Sequence, residues 1–273
     1  MTDKISNDEV DAYLNFFSND ATKAVLAIKE RVEQRAQTHG LHDGRIIKPT
    51  GDPIISVKSL VKTYVISKQQ VHALNDVSVD IYKGEFVAIT GSSGSGKSTL
   101  LQLIGGLDKP TSGEIVIDGV NINQLSDSKL SKFRNKTIGF VFQFFYLQPF
   151  LRLNKNIEVP GMFAHSRRVD RKRRVHELIE RVGLAEQEKH LPKEISGGQL
   201  QRAAIARSLL NNPKILLADE PTGNLDNANS NEIIKLFEQI RDEFGTTIII
   251  VTHNLEIAAR ADRVIKLSDG TLL

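Results

Sequence analysis

From residue 54 onward, short apolar runs alternate with amphipathic stretches, the spacing of strands interleaved with helices. Residues 54–57, 77–81 and 86–90 are β-branched runs, and residues 214–218 and 246–252 are almost continuously apolar. Runs of the second kind belong to strands covered on both faces, so they predict a central, mostly parallel sheet. Between residues 126 and 210 the pattern is mainly helical and more polar, which predicts a helical subdomain of about 126–210 inserted into an α/β core.

The first 53 residues read differently. Ser6-Asn7-Asp8-Glu9 has the form of a capping box, and Val10, Leu14 and Phe17 follow at helical spacing. After a polar break at Ser18-Asn19-Asp20, Val25, Ile28, Val32 and Ala36 repeat that spacing up to Gly40, a plausible helix stop. A helical hairpin is expected, followed by a Gly- and Pro-punctuated linker to Pro53. The organisation read from the chain is therefore an extension over 1–53 and one α/β domain over 54–273.

Composition narrows the classes without selecting one. A chain of 273 residues with 40% hydrophobic and 25% charged residues is long enough for a sizeable core. Its formal charge of +3 is too small to argue for nucleic acid. The absence of cysteine excludes disulfides, thiol catalysis and cysteine metal sites. Neither an apolar stretch of membrane-spanning length nor a basic-then-apolar leader is present, so a cytosolic chain is expected. The run Arg167-Arg168 with Arg171-Lys172-Arg173-Arg174 is read as a solvated helix face.

Candidate chemistry begins where the 86–90 strand runs into Gly91-Ser92-Ser93-Gly94-Ser95-Gly96-Lys97-Ser98, followed by Thr99 and an apolar helix start. This is the G-x-x-x-x-G-K-[ST] phosphate loop in its strand–loop–helix setting. Glycines let the backbone curl so that its N–H groups face phosphate, and the helix N-terminus adds the positive end of its dipole. Lys97 is placed to reach the β and γ phosphates, and the Ser98 hydroxyl to bind Mg²⁺. Residues 214–218 run into Asp219-Glu220, two carboxylates at a strand end, where ligands collect in open α/β sheets. Asp219 is the candidate Mg²⁺ residue and Glu220 the candidate base that polarises the attacking water.

A third element, Ser196-Gly197-Gly198-Gln199, opens a helix with no acid in its first turns. Its spacing alone is that of a capping box, but paired glycines and missing acids leave bare N–H groups where an anion can bind.

These four residues resemble the signature of the ABC (ATP-binding cassette) ATPases, and further marks follow in that family's order. Tyr64 matches the adenine-stacking aromatic, and Gln143, ending the strand of residues 138–142, resembles the Q-loop glutamine. Asn224-Leu225-Asp226 resembles the D-loop, and His253 the switch histidine. The resemblance spans roughly residues 54–273. Ile195 and Leu200 depart from the usual pattern without touching the residues expected at phosphate.

The resemblance implies a phosphate-loop NTPase core with an antiparallel β subdomain and the inserted helical subdomain. It further implies ATP and Mg²⁺ as ligands, with Ser98, Gln143 and Asp219 around the metal. Two copies would close as an ATP-sandwich homodimer. Lys97, Gln143, Asp219, Glu220 and His253 of one copy would meet Ser196 to Gln199 of the other, with Asp226 linking the sites. The segments 103–113 and 221–226 look like the bacterial branch of lipoprotein-releasing, macrolide-export and antimicrobial-peptide-resistance ATPases. An integral membrane ABC subunit is then the expected partner, received beside Phe144-Phe145-Tyr146-Leu147, with the chain at the cytoplasmic face of the membrane and no nucleic acid expected. The competing reading is a soluble ABC ATPase acting on ribosomes or DNA. Neither a second cassette nor a long coiled coil is present in the sequence to favour it.

Overall fold

The computed structural model describes residues 51–66 and 69–273. The helical hairpin and linker expected over 1–53 lie outside these residues, apart from Gly51, Asp52 and Pro53.

Two sheets carry the fold. The larger has six strands: β3 (Phe86–Thr90), β6 (Ile138–Val141), β7 (Ile215–Asp219), β8 (Thr247–Val251), β9 (Arg263–Ser268) and β10 (Thr271–Leu272), in the order β10-β9-β3-β8-β7-β6. Its pairs are parallel except at the edge, where β10 turns back on β9. The smaller sheet is antiparallel, in the order β2-β1-β4-β5, from β1 (Ile55–Ile66), β2 (Gln69–Ile81), β4 (Ser112–Ile117) and β5 (Val120–Asn121). The α/β core and the antiparallel β subdomain expected from the sequence are both present.

The nearly unbroken apolar runs have a physical reason. Successive residues of a strand face opposite sides, so a strand covered on both sides has no position left for a polar side chain. Phe86 and Ala88 of β3, Leu216 and Ala218 of β7, and Ile248 and Ile250 of β8 enter one core cluster. Val87, Ile89, Ile215, Leu217, Ile249 and Val251 enter the other.

Helices that close the first cluster include α3 (Leu153–Phe163), α4 (Arg168–Arg181), α5 (Gly197–Ser208) and α6 (Asn227–Phe244). In α6 the stripe Ile233, Ile234, Phe237 and Ile240 faces inward, each such side chain contributing about 1.5–3 kcal/mol when fully buried. Asp226 caps the start of α6 and Gly245, at φ 62°, ends it. The second cluster is closed by α1 (Lys97–Ile104), by Leu130 of α2 (Asp127–Thr137) and by the antiparallel sheet.

Between α3 and α4 lies one internal ion network. The Glu158 side chain is 7% exposed and meets Lys155 at 2.8 Å and Arg171 at 3.2 Å. Burial raises its carboxyl pKa, but the hydrogen bonds and charges of Lys155 and Arg171 outweigh this and hold it below the usual range. A short α7 (Leu255–Ala258) follows β8. Among the described residues, no helix is long and apolar enough to cross a membrane.

Candidate nucleotide site

Parallel strands end at one edge of the sheet, and there the chain gathers its unusual residues. β3 runs into the glycine-rich loop and α1, β7 ends at Asp219-Glu220, β8 leads to His253, and the chain beyond β6 reaches Gln143. They surround a cleft of about 500 Å³ lined by Gly91, Ser93, Gly94, Gly96, Lys97, Ser98, Thr99, Gln143, Glu220 and His253, with Val71, His72 and Ala73 of β2 as a further wall.

The loop curls as its glycines require. Gly96 sits at φ 100°, and a Cβ there would lie 2.4 Å from the Ala73 carbonyl oxygen. Lys97 folds its ammonium into the curve, donating to the carbonyls of Gly91 at 3.0 Å and Ser92 at 2.7 Å. Ser95 is buried, and its hydroxyl has no partner. α1 begins at Lys97 with no acid in its first turn, leaving its N-terminal N–H groups to an anion.

Opposite the loop, the Ser98 hydroxyl donates to Asp219 Oδ1 at 3.0 Å. Burial pushes the Asp219 carboxyl pKa up, and the neighbouring Glu220 adds to this against the Ser98 hydrogen bond and the Lys97 charge. Two hard oxygen donors therefore converge beside the phosphate loop, which fits Mg²⁺. Among the described residues, no group of three or more His, Asp or Glu is gathered as a metal cage.

Glu220 adopts φ 46°, a left-handed conformation that costs a non-glycine residue about 1 kcal/mol or more. Its backbone N–H donates to the Val251 carbonyl at 3.0 Å, and its Oε2 lies 2.8 Å from His253 Nδ1. A carboxylate and an imidazole thus meet on the lining of the cleft. The Gln143 side chain lies against Gly223, where a Cβ would come within 2.9 Å of Nε2, and the Gln143 backbone carbonyl accepts from Asn224 Nδ2 at 3.0 Å.

Other expected residues lie outside the cleft. Ser196 and Gln199 form the reciprocal capping box at the start of α5, with bonds of 2.9 and 3.4 Å. Gly197 and Gly198 lie against Leu225 and Asn229. Asp226 accepts from the Asn229 backbone and side chain, both at 2.8 Å, and these bonds lower its pKa. Tyr64 is not among the lining residues, but it stands opposite Val71, which is.

Val71, His72 and Ala73 went unnoticed in the sequence because nothing in their types marks them. Their place on the wall comes from strand pairing, with Thr63 Oγ1 and His72 Nδ1 3.0 Å apart across the hairpin.

A parallel sheet, a glycine-cradled lysine and a carboxylate-ended neighbouring strand define a phosphate-loop NTPase. The ABC transporter family's sequence profile matches residues 74–223, more than half of the chain. A Methanocaldococcus jannaschii ABC transporter ATP-binding protein, MJ0796, is 45% identical over 80% of this chain and 94% of its own. The lipoprotein-releasing system ATP-binding protein LolD of Wigglesworthia glossinidia brevipalpis is 43% identical over 80% of this chain and 96% of its own. The macrolide export ATP-binding/permease protein MacB of Shigella flexneri is 43% identical over 81% of this chain, a match confined to 34% of that longer protein. Among solved structures, the dimeric post-hydrolysis state of MJ0796 bound to ADP and Pi superposes with a TM-score of 0.75, at 43% identity over 80% of this chain and 96% of that one. The chain belongs to the ABC transporter family, as one of its ATP-binding and ATP-hydrolysing subunits.

Proposed function

We propose that two copies of this chain close head to tail over ATP, each supplying the signature residues Ser196 to Gln199 to the phosphate loop of the other. The observation that carries this reading is a separation within one copy. The cleft holds Lys97, Ser98, Gln143, Glu220 and His253, whereas the N-terminus of α5, capped by Ser196 and with no acid in its first turn, is not part of its lining. The dimeric form of the similar MJ0796 cassette supports the pairing of two copies.

In this reading Lys97 binds the terminal phosphates, Glu220 takes the proton of the attacking water, and His253 holds Glu220 in place and meets the γ-phosphate. Asp226 links the two sites across the dimer. Ser98, Asp219 and Gln143 would hold Mg²⁺, which would supply charge neutralisation at the phosphates. The chain's own share of catalysis is positioning and electrostatic stabilisation.

Residues 54–273 act as the nucleotide-binding domain, with a helical subdomain of about 126–210, and residues 1–53 as an extension. The partner is an integral membrane ABC subunit, which places the chain at the cytoplasmic membrane face. Two observations support this: MacB is named as a joined ATP-binding/permease protein, and Phe144, Tyr146 and Phe150 are 62, 63 and 73% exposed just beyond Gln143. Large apolar side chains gathered at a surface mark a contact site.

Ser196→Arg tests the shared site. The variant is expected to bind ATP normally and to hydrolyse none, because the arginine excludes the other copy's phosphate. Mixed with Lys97→Ala, itself inactive, it should regain turnover through the one composite site that keeps both parts. Normal turnover by Ser196→Arg alone contradicts the shared-site arrangement.

A further inference from the structure

Lys62, Tyr64 and Asp108 form a closed cluster where β1 meets the loop beyond α1. The Tyr64 hydroxyl donates to Asp108 Oδ2 at 2.8 Å. The Lys62 ammonium reaches the same oxygen at 2.8 Å, donates to the Lys109 carbonyl at 2.7 Å, and stands 4.6 Å from the centroid of the Tyr64 ring. Asp108 Oδ1 is occupied as well, accepting from the Lys109 backbone N–H at 2.7 Å. Lys62 is only 9% exposed, so its charge is withdrawn from solvent and answered by this one carboxylate.

The cluster adjoins the nucleotide cleft on two sides. Tyr64 pairs in register with Val71, and directly opposed residues in an antiparallel ladder share a face. Val71 lines the cleft, as does Thr99, whose side chain stands near the Tyr64 hydroxyl. Val65, the next residue of the strand after Tyr64, is 72% exposed. A tyrosine there, held only by its own strand, would lose rotamer freedom each time it packed on a ligand. Fixing the ring beforehand removes that cost.

We propose that Asp108 and Lys62 are positioning residues for nucleotide binding: they lock the Tyr64 ring at the edge of the cleft, in place to meet the base of a nucleoside triphosphate. The proposal rests on the reading of Tyr64 as the base-contacting aromatic. Asp108 anchors the hydroxyl and Lys62 covers the ring, so ring position is set before ligand arrives. Burial raises the Asp108 carboxyl pKa, but the hydrogen bonds of Lys62, Tyr64 and the Lys109 N–H outweigh it and hold it below the usual range. The anchor is therefore ionised at neutral pH.

The test measures dissociation constants of MgATP and of magnesium tripolyphosphate, which carries the phosphates without the base, for the full chain and three variants. Tyr64→Phe keeps the ring and loses the tether, Asp108→Ala removes the anchor, and Tyr64→Ala removes the ring. Tyr64→Phe and Asp108→Ala are each expected to weaken MgATP by roughly three- to ten-fold, the size of one lost hydrogen bond, and to leave tripolyphosphate unchanged. Tyr64→Ala should weaken MgATP at least as much. If Tyr64→Ala weakens MgATP while the other two do not, the ring meets the base but needs no lock, and the proposal is overturned. Equal loss of both ligands by Asp108→Ala also overturns it, since the residue would then support the loop as a whole. An unchanged MgATP constant in Tyr64→Ala instead removes the base-contact reading on which the proposal stands.

Discussion

Glu220 and Gly96 both occupy left-handed backbone conformations, strained for the glutamate and freely open to the glycine. Glu220 at φ 46° is held by the Val251 carbonyl, which brings its carboxylate to His253 at 2.8 Å. Glu220→Gln keeps the shape and the donor–acceptor reach and loses the base. Turnover should fall by about 10²–10⁴ while ATP binding persists, as read by steady-state hydrolysis beside nucleotide titration. Gly96 combines φ 100° with a backbone carbonyl 2.4 Å from any added Cβ, a neighbour that cannot swing aside. Gly96→Ala should lower stability by about 1–3 kcal/mol and abolish ATP binding, because the loop must open to admit the methyl group. Thermal melting and nucleotide titration check the two parts separately.

At the scale of elements, α3 and α4 are joined by the buried carboxylate of Glu158. Its pKa is held below the usual range, so it contributes stability above the ordinary carboxylate pKa and loses it as pH falls through the lowered value. Glu158→Gln should destabilise the chain by about 1.5–3 kcal/mol at neutral pH, leaving Arg171 without its carboxylate. Denaturant titrations at descending pH should show the gap between variant and wild type closing below the ordinary carboxylate pKa. A constant gap would assign the loss to packing.

The same scale shows what could be read from residues. β3 matches the expected strand at residues 86–90 because all five of its positions are buried, so its apolar run has no gap. β1 and β2 reach well beyond the short runs at 54–57 and 77–81, since the distal half of their hairpin faces solvent and carries Thr63, Gln69 and Gln70. β9 alternates half-buried with exposed positions before the buried Leu267, and Arg263 and Lys266 interrupt it, so it carries no apolar run to betray it. The loop lysine and the paired carboxylates were legible because their chemistry needs those residue types at fixed spacing. The wall of Val71, His72 and Ala73 and the Lys62–Tyr64–Asp108 cluster were not, because pairing across 44 to 46 positions of sequence brings the cluster together.

For the whole molecule, the central claim is that ATP joins two copies through a site that neither completes alone. Catalysis and assembly are then one property: ATP bridges the copies, and hydrolysis removes the bridge. The most direct measurement is the solution mass of Glu220→Gln by light scattering, with MgATP and then with MgADP, repeated after adding Ser196→Arg to the same chain. The account predicts twice the chain mass of 30.4 kDa with MgATP and the single mass with MgADP. In the double variant it predicts the single mass with ATP still bound. A dimer that forms equally with ADP, or that survives Ser196→Arg, would contradict it.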